Sequence, residues 1–162
     1  MDGLIKFCAQ YLIVAVGLIF IYTVYRVPKA QRLQLLVGLI LAIIIAGIVD
    51  KLAGKIYYDP RPFVTHHIQP LFSHAPDNGF PSEHAIAAMT ISTILYFYRK
   101  KFAAIAFALT LIIGISRVAA HVHSPIDIFG GLVIGGLAGA CGYYLTLKFV
   151  ATSSVSASKR RT

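Results

Sequence analysis

The chain has 162 residues, of which 57% are hydrophobic and only 13% are charged. Soluble domains carry about a quarter charged residues, so the composition indicates a membrane protein rather than a soluble one. The formal net charge of +9 is compatible with nucleic-acid binding, but the basic residues lie in small clusters between apolar runs. Such clustering is typical of membrane topology, and we therefore expect a bilayer protein with no nucleic-acid partner.

The apolar runs predict about five transmembrane helices, because one crossing needs about 20 mainly apolar residues. A polar, proline-rich loop separates the second run from the third. The expected helices cover 7–27, 33–53, 81–98, 102–120 and 125–150, and the loop covers 54–80. The predicted fold class is an all-α integral membrane bundle over residues 1–150. The basic, serine-rich segment 151–162 is expected to be a disordered cytoplasmic tail.

Lysine and arginine set the expected orientation, because they concentrate on the cytoplasmic side of membrane proteins. Most of them, including Arg26 and the cluster 99–101, lie at the helix ends away from the loop. The loop end instead holds all six histidines of the chain. The sequence therefore predicts a cytoplasmic C-terminus and a polar site on the outer face of the plasma membrane.

Glycines repeat every four residues in the fifth run, at Gly131, Gly135 and Gly139. This spacing places them on one face of a helix. We expect the face to pack closely against a neighbouring helix, since small residues let two backbones approach.

The first polar cluster is GKIYYDPRPF, residues 54–63, directly after the second run. It holds Lys55 and Arg61, and Pro60 and Pro62 stiffen the chain around the arginine. One interpretation is a pair of juxtamembrane anchors that touch lipid headgroups. The other is a phosphate clamp, because a planar guanidinium suits bidentate contact with phosphoryl oxygens.

The second cluster, GFPSEHA, lies where the loop meets the third predicted helix. Pro81 and Ser82 form a plausible helix start, which would place backbone N–H groups at a positive helix end. Such an end binds anions readily. The alternative is a structural helix cap with His84 as an incidental neighbour.

The third cluster, SRVAAHVHSPID, joins the fourth helix to the fifth. Arg117 closes one helix, and His123 and Asp127 are four residues apart, so a helix would place both on one face. An aspartate on one imidazole nitrogen fixes the tautomer and raises the basicity of the other nitrogen. Such a histidine serves as a general base, a nucleophile or a metal ligand. A structural pair at the membrane edge is the alternative.

Together the clusters resemble the three motifs of the type 2 phosphatidic acid phosphatase (PAP2) superfamily, in the order that the family has them. SRVAAHVHSPID resembles its S-R-x5-H-x3-D motif, PSEH resembles P-S-G-H, and KIYYDPRP resembles K-x6-R-P. The resemblance covers roughly residues 55–127. It implies a membrane phosphatase that needs no metal or other cofactor.

Two positions depart from the family motifs. Lys55 is separated from Arg61 by five residues, where the motif has six, so Lys51 is an alternative for the lysine. Glu83 replaces the glycine of P-S-G-H, and this acidic residue resembles the FPSDH form of the BcrC-like undecaprenyl pyrophosphate phosphatases. The wider loop, YYDPRPFVTHHI and HAPDNGFPSEH, is similar to that subgroup as well.

The resemblance implies a role for each motif residue. His123 would attack the terminal phosphorus, Asp127 would orient that histidine, and His84 would protonate the leaving group and later help to activate water. The phosphoryl oxygens would be held by four residues: Lys55, Arg61, Ser82 and Arg117. The implied substrate is a lipid phosphate or pyrophosphate, with undecaprenyl pyrophosphate as the first candidate.

Other functions remain open at the level of sequence. The lipid is alternatively phosphatidic acid, phosphatidylglycerol phosphate or a lipid A phosphate. A protein that binds or transports anionic headgroups would use the same cations without needing His123 and His84. An inactive relative and a metal-dependent hydrolase are further alternatives. The remaining histidines, which are favoured as headgroup or loop residues over zinc ligands, are His66, His67, His74 and His121.

Overall fold

The computed structural model describes residues 1–159, with side chains to residue 149. The chain forms six helices in this part: α1 Asp2–Arg26, α2 Lys29–Ile56, α3 Pro62–Thr65, α4 Glu83–Tyr98, α5 Lys100–Ala119 and α6 Pro125–Lys159. Five of them are long and run up and down one bundle, while α3 is a single turn within the loop between α2 and α4. The predicted all-α membrane bundle is confirmed.

Four helices of the described chain, α1, α2, α5 and α6, are long and apolar enough to cross a bilayer. α4 has 16 residues and spans about 24 Å at 1.5 Å per residue, which is shorter than the expected 81–98. It starts at Glu83 because Ser82 is its N-cap and has an extended backbone. α4 nevertheless connects the two ends of the bundle, since the Arg99 guanidinium after it donates to the Arg26 carbonyl at 2.7 Å.

α6 continues beyond the expected end at residue 150 and is helical through Lys159. The segment 151–159, for which the sequence predicted disorder, contains neither glycine nor proline to stop a helix. Residues 160–162 of the predicted tail lie outside the described part of the chain.

α4 is the central helix, and it packs against α1, α2, α5 and α6. The glycine face of α6 lies directly on it, as the sequence predicted. A Cβ atom added to Gly131 would meet the Ala85 Cβ at 2.8 Å, and one added to Gly139 would meet the Thr93 Cβ at 2.8 Å. These glycines bring the start of α4 and the start of α6 together, which positions the polar residues at both helix starts.

We expect Gly135→Ala to destabilise the bundle by about 1–3 kcal/mol, the usual range for overpacking a core. A Cβ at this position would lie 2.5 Å from the Ile86 carbonyl oxygen and 2.9 Å from the Met89 Cβ, and the helix backbone cannot move aside cheaply. The measurement is thermal unfolding in detergent. Gly47→Ala is the matched control, because no atom lies within 4 Å of its added Cβ. An equal melting temperature for both variants would contradict this packing.

Candidate active site

His123 lies between α5 and α6 and is almost fully buried, at 3% exposure. Its Nδ1 lies 3.1 Å from Oδ2 of Asp127, whose side chain is 0% exposed and also accepts the Ser124 N–H at 2.8 Å. A carboxylate accepts only, so Nδ1 carries the proton and donates it to Asp127. The Nε2 atom is then left with a free lone pair.

Two guanidinium groups converge on that lone pair. Arg117 Nη2 lies 3.1 Å and Arg61 Nη1 lies 3.3 Å from His123 Nε2. Both arginines are buried, at 3% and 6% exposure, respectively. Since a guanidinium can only donate, both contacts require an unprotonated Nε2, in agreement with the tautomer that Asp127 selects.

Backbone carbonyls and loop side chains hold the two arginines in place. Arg61 donates to the Val122 carbonyl at 2.7 Å and pairs with the Asp77 carboxylate at 2.7 Å. Arg117 donates to the Ala9 carbonyl of α1 at 3.1 Å and contacts His74 Nε2 at 3.3 Å. These contacts keep the two guanidinium groups close together. Because like charges repel, this arrangement is favourable only where a negative charge lies nearby.

The pKa of His123 lies below its ordinary value of 6.5. Burial lowers it most; the hydrogen bond to Asp127 raises it, and the charges of Arg117 and Arg61 lower it further. For Asp77, burial raises the pKa, but the hydrogen bond and charge of Arg61 outweigh burial and lower it overall. At neutral pH the site thus combines a neutral imidazole with an ionised Asp77.

A polar cavity of about 360 Å³ opens above Nε2 of His123. Of the residues expected from the sequence, Arg61, His84, Arg117 and His123 line it. Lys55 does not line the cavity, whereas Lys51, one helical turn earlier, does. The lining also includes carboxylates and loop residues: Asp50, Asp77, Asn78 and Glu83.

Ser82 and Asp127 are fully buried and do not line the cavity. Ser82 is fully buried, and its backbone N–H donates to the Asp127 carbonyl at 3.1 Å. Within residues 1–159, the Ser82 hydroxyl has no hydrogen-bond partner. Ser82 therefore links the start of α4 to the start of α6. The next residue, Glu83, lines the cavity.

The loop 57–82 is held by Asn78, which acts at its base. Its amide donates to the Gly54 carbonyl at 2.9 Å, and its side-chain oxygen accepts the backbone N–H groups of Asp59 and Phe80. Asp59 in turn accepts the Ser124 hydroxyl at 2.5 Å. These contacts hold the loop that carries Arg61 and Asp77 against His123.

Several polar cavity residues were not assigned to the site from the sequence, among them Asp50, His74, Asp77, Asn78 and Glu83. His74 was interpreted as a headgroup or loop residue, but its ring lies 6.1 Å from that of His123 and contacts Arg117. Its pKa is lowered by burial and then by Arg61 and Arg117. No periodicity marks a loop residue as part of a site; the one available signal was its position close to the motif PSEH.

The histidines His66, His67 and His121 are exposed, as expected of headgroup or loop residues. His121 has a positive φ of 61°, which turns the chain so that His123 faces back towards Arg117. In the part of the chain that the structure describes, no group of three or more His, Cys, Asp or Glu residues is arranged to hold a metal ion.

Comparison with known proteins identifies the family. Residues 34–151 match the PAP2 superfamily. The chain is 34% identical to undecaprenyl-diphosphatase BcrC of Bacillus subtilis, over 86% of this chain and 72% of that protein. It is 31% identical to the bacitracin transport permease protein BcrC of Bacillus licheniformis, over 85% of this chain and 68% of that one. 

The fold agrees with this relationship. The crystal structure of Aquifex aeolicus LpxE superimposes with a TM-score of 0.63 and 25% sequence identity, covering 86% of this chain and 92% of LpxE. The family motifs are the segments that the structure gathers around His123. The chain belongs to the PAP2 superfamily and is a multi-pass membrane phosphatase of the metal-independent, lipid-phosphate type.

Proposed function

We propose that the protein hydrolyses undecaprenyl diphosphate to undecaprenyl phosphate and inorganic phosphate on the outer face of the plasma membrane. The observation that carries the chemistry is the pair of guanidiniums on Nε2 of His123, whose Nδ1 is held by Asp127. A terminal phosphoryl group between these cations would present its phosphorus to the Nε2 lone pair. Phosphoryl transfer depends on this kind of positioning and charge neutralisation.

The first step forms a bond between Nε2 of His123 and the terminal phosphorus and breaks the bond from that phosphorus to the bridging oxygen. The lipid phosphate departs with the electron pair of the broken bond. His84, which lines the same cavity, donates a proton to this leaving oxygen. Arg61 and Arg117 hold the transferred oxygens while the charge moves.

The second step hydrolyses the phosphohistidine. His84, now neutral, takes a proton from a water molecule as the oxygen of that water attacks phosphorus. The N–P bond breaks, its electron pair returns to Nε2, and inorganic phosphate leaves. The fixed cations neutralise the phosphoryl charge, and the proposed cycle needs no cofactor.

An apolar groove between α2 and α4 supports a lipid substrate. It has a volume of about 230 Å³, and Ile43, Gly47, Ile86 and other apolar residues line it. Asp50 and Glu83 line both this groove and the polar cavity, so the two spaces meet at these carboxylates. A lipid can therefore keep its tail in the groove while its phosphate reaches Arg61 and Arg117.

The choice of undecaprenyl diphosphate comes from the relative named undecaprenyl-diphosphatase BcrC and from the similar loop motifs. The test is phosphate release by the purified protein in detergent with excess chelator, from undecaprenyl diphosphate and from phosphatidic acid. We expect faster release from the diphosphate. Faster release from phosphatidic acid would reject the carrier lipid and keep the chemistry. No release from either lipid would favour a headgroup-binding protein.

Lys51 rather than Lys55 is expected to assist phosphate binding. We predict that Lys51→Ala lowers kcat/KM by about tenfold, the effect of one exposed charge-assisted contact, while Lys55→Ala changes it less than twofold. Both lysines are exposed and lie on α2, but only Lys51 lines the cavity. The two variants are thus matched controls for each other. Equal effects, or a larger effect at Lys55, would contradict this assignment.

The lowered pKa of His123 predicts the acid side of the pH profile. The nucleophile must be neutral, and a pKa below 6.5 keeps it neutral until the pH falls below that value. We therefore expect the midpoint of the acid limb of kcat/KM, which reports the free enzyme, to lie below pH 6.5. NMR titration of the His123 ring nitrogens provides the direct measurement. A midpoint above pH 6.5 would contradict this prediction, because burial and the charges of the arginines would then not determine the pKa of His123.

A further inference from the structure

A second cavity lies at the opposite end of the bundle from the active site. Its volume is about 450 Å³, and six residues line it: Arg26, Tyr98, Arg99, Lys100, Lys101 and Phe102. We call it the basic cavity. It forms where the end of α1 meets the junction of α4 and α5, and its volume lies within the usual range of ligand sites.

The walls of the basic cavity are held by specific contacts. Arg99 donates to the Arg26 carbonyl at 2.7 Å, and the rings of Tyr22 and Phe102 meet edge to face at 5.3 Å. The Arg26 guanidinium lies 5.8 Å from the centroid of the Tyr22 ring. The cavity is therefore a feature of the packed α1–α5 contact and not of a free chain end.

The positive charge of the basic cavity is not balanced by any Asp or Glu side chain. The chain has six acidic residues in all, and each lies at the active-site end of the bundle: Asp2, Asp50, Asp59, Asp77, Glu83 and Asp127. Salt bridges recorded among the described residues involve only Arg61 and His123, both at that end. Within residues 1–159, no Asp or Glu side chain therefore neutralises the four cations of the cavity, and a bound anion would supply that negative charge.

The geometry of α5 also favours a bound anion at this position. Lys100 and Lys101 occupy the first turn of α5, where the helix dipole is positive and lysine is unfavourable. Arg99, the N-cap residue, makes no side-chain cap to the helix. An anion in the cavity would neutralise the lysines and accept hydrogen bonds from the first N–H groups of α5.

We propose that the basic cavity binds the phosphodiester headgroup of an anionic phospholipid in the leaflet opposite the active site. Tyr98 and Phe102 give the cavity aromatic walls next to the cations, an arrangement that suits the level of lipid headgroups. The glycerol and acyl chains would continue along the apolar outer surface of α1 and α5. This proposal is independent of the substrate of the active site.

The test measures lipid binding to the delipidated full-length protein by native mass spectrometry at low salt, where exposed charges are least screened. The probes are phosphatidylglycerol and phosphatidylcholine with equal acyl chains. The variant is Lys100→Gln/Lys101→Gln. The control, Lys6→Gln/Lys29→Gln, removes the same charge from two exposed lysines that do not line the cavity. If the double variant does not fold, the single variant Lys101→Gln replaces it as the cavity variant.

We expect wild type to prefer phosphatidylglycerol, and each cavity lysine removed to weaken its binding about fivefold. The control should stay within twofold of wild type. Unchanged binding in the cavity variants, or an equal loss in the control, would overturn the proposal. Inorganic phosphate at the same concentration should not displace the lipid; displacement would show a site for a free anion and would also overturn it.

Discussion

Replacement of His123 by alanine is expected to lower phosphate release by about 10⁴-fold or more, the scale seen when an enzymatic nucleophile is removed. The variant keeps the cations and the cavity, but no atom remains to form the bond to phosphorus. Substrate binding should therefore survive, and the loss should fall on kcat. The measurement is steady-state phosphate release together with binding of the uncleaved lipid.

His66→Ala is the matched control for this prediction, because His66 lies in the same polar end of the bundle and its side chain is exposed. It should keep at least half of the activity. A second readout is the covalent intermediate: substrate labelled in its terminal phosphate should leave an acid-labile label on wild type and none on His123→Ala. If His123→Ala kept a tenth of the rate, the nucleophile would have to be another group.

The membrane fold could be predicted from the sequence, because a helix that crosses a bilayer needs about 20 mainly apolar residues and the chain contains several such runs. The helix bounds were less accurate. α2 runs from Lys29 rather than from residue 33, since the polar residues at its start still favour a helix. The glycine face of α6 was also readable, because a spacing of four in an apolar helix has few other uses.

The catalytic cluster was predicted as a set of motifs, but its geometry depends on long-range contacts. The Arg61 contact with the Val122 carbonyl joins residues 61 positions apart and depends on the fold of the loop 57–82. The same loop adds His74 and Asp77, which no helical or strand period could indicate. The roles of these residues in catalysis stay predictions.

At the lysine position, the motif spacing and the cavity lining favour different residues. Lys55 is nearest to the family spacing, yet four further residues along a helix move a side chain about 6 Å along its axis. Lys55 lies one residue before the end of α2 at Ile56 and does not line the cavity, while Lys51 does. Register along a helix, and not distance in sequence, determines which lysine reaches the site.

Asp127→Asn is expected to lower kcat by about 10³–10⁴-fold with little change in folding, as for the carboxylate of a catalytic triad. Phosphorylation of Nε2 leaves both ring nitrogens substituted, so the imidazole becomes a cation between two buried guanidiniums. Within residues 1–159, Asp127 is the carboxylate that touches the ring. In the proposed mechanism, its negative charge stabilises the phosphohistidine and the transition state that leads to it.

The amide of asparagine cannot replace that charge in either orientation. With its oxygen towards His123 it keeps a neutral hydrogen bond, but its NH2 group then takes the place of Oδ1, which is buried and without a partner among the described residues. With its NH2 group towards His123 it opposes the Nδ1 proton and favours the wrong tautomer, which places a proton between Nε2 and the arginines. Both orientations predict slow formation of the phosphoenzyme, which rapid-quench kinetics would measure directly.

Asp59→Asn is the control variant. It distinguishes the loss of the negative charge next to the His123 ring from a change in the geometry of the loop. Asp59 accepts the Ser124 hydroxyl, and it is one hydrogen bond away from the backbone that supports Asp127. The same change of carboxylate to amide there should cost less than about tenfold, because an amide oxygen can still accept that hydrogen bond. If the two variants lost equal activity, the loop geometry would carry the effect. If Asp127→Asn stayed within tenfold of wild type, the negative charge of the phosphoryl group alone would have to balance the cationic ring and the two guanidiniums.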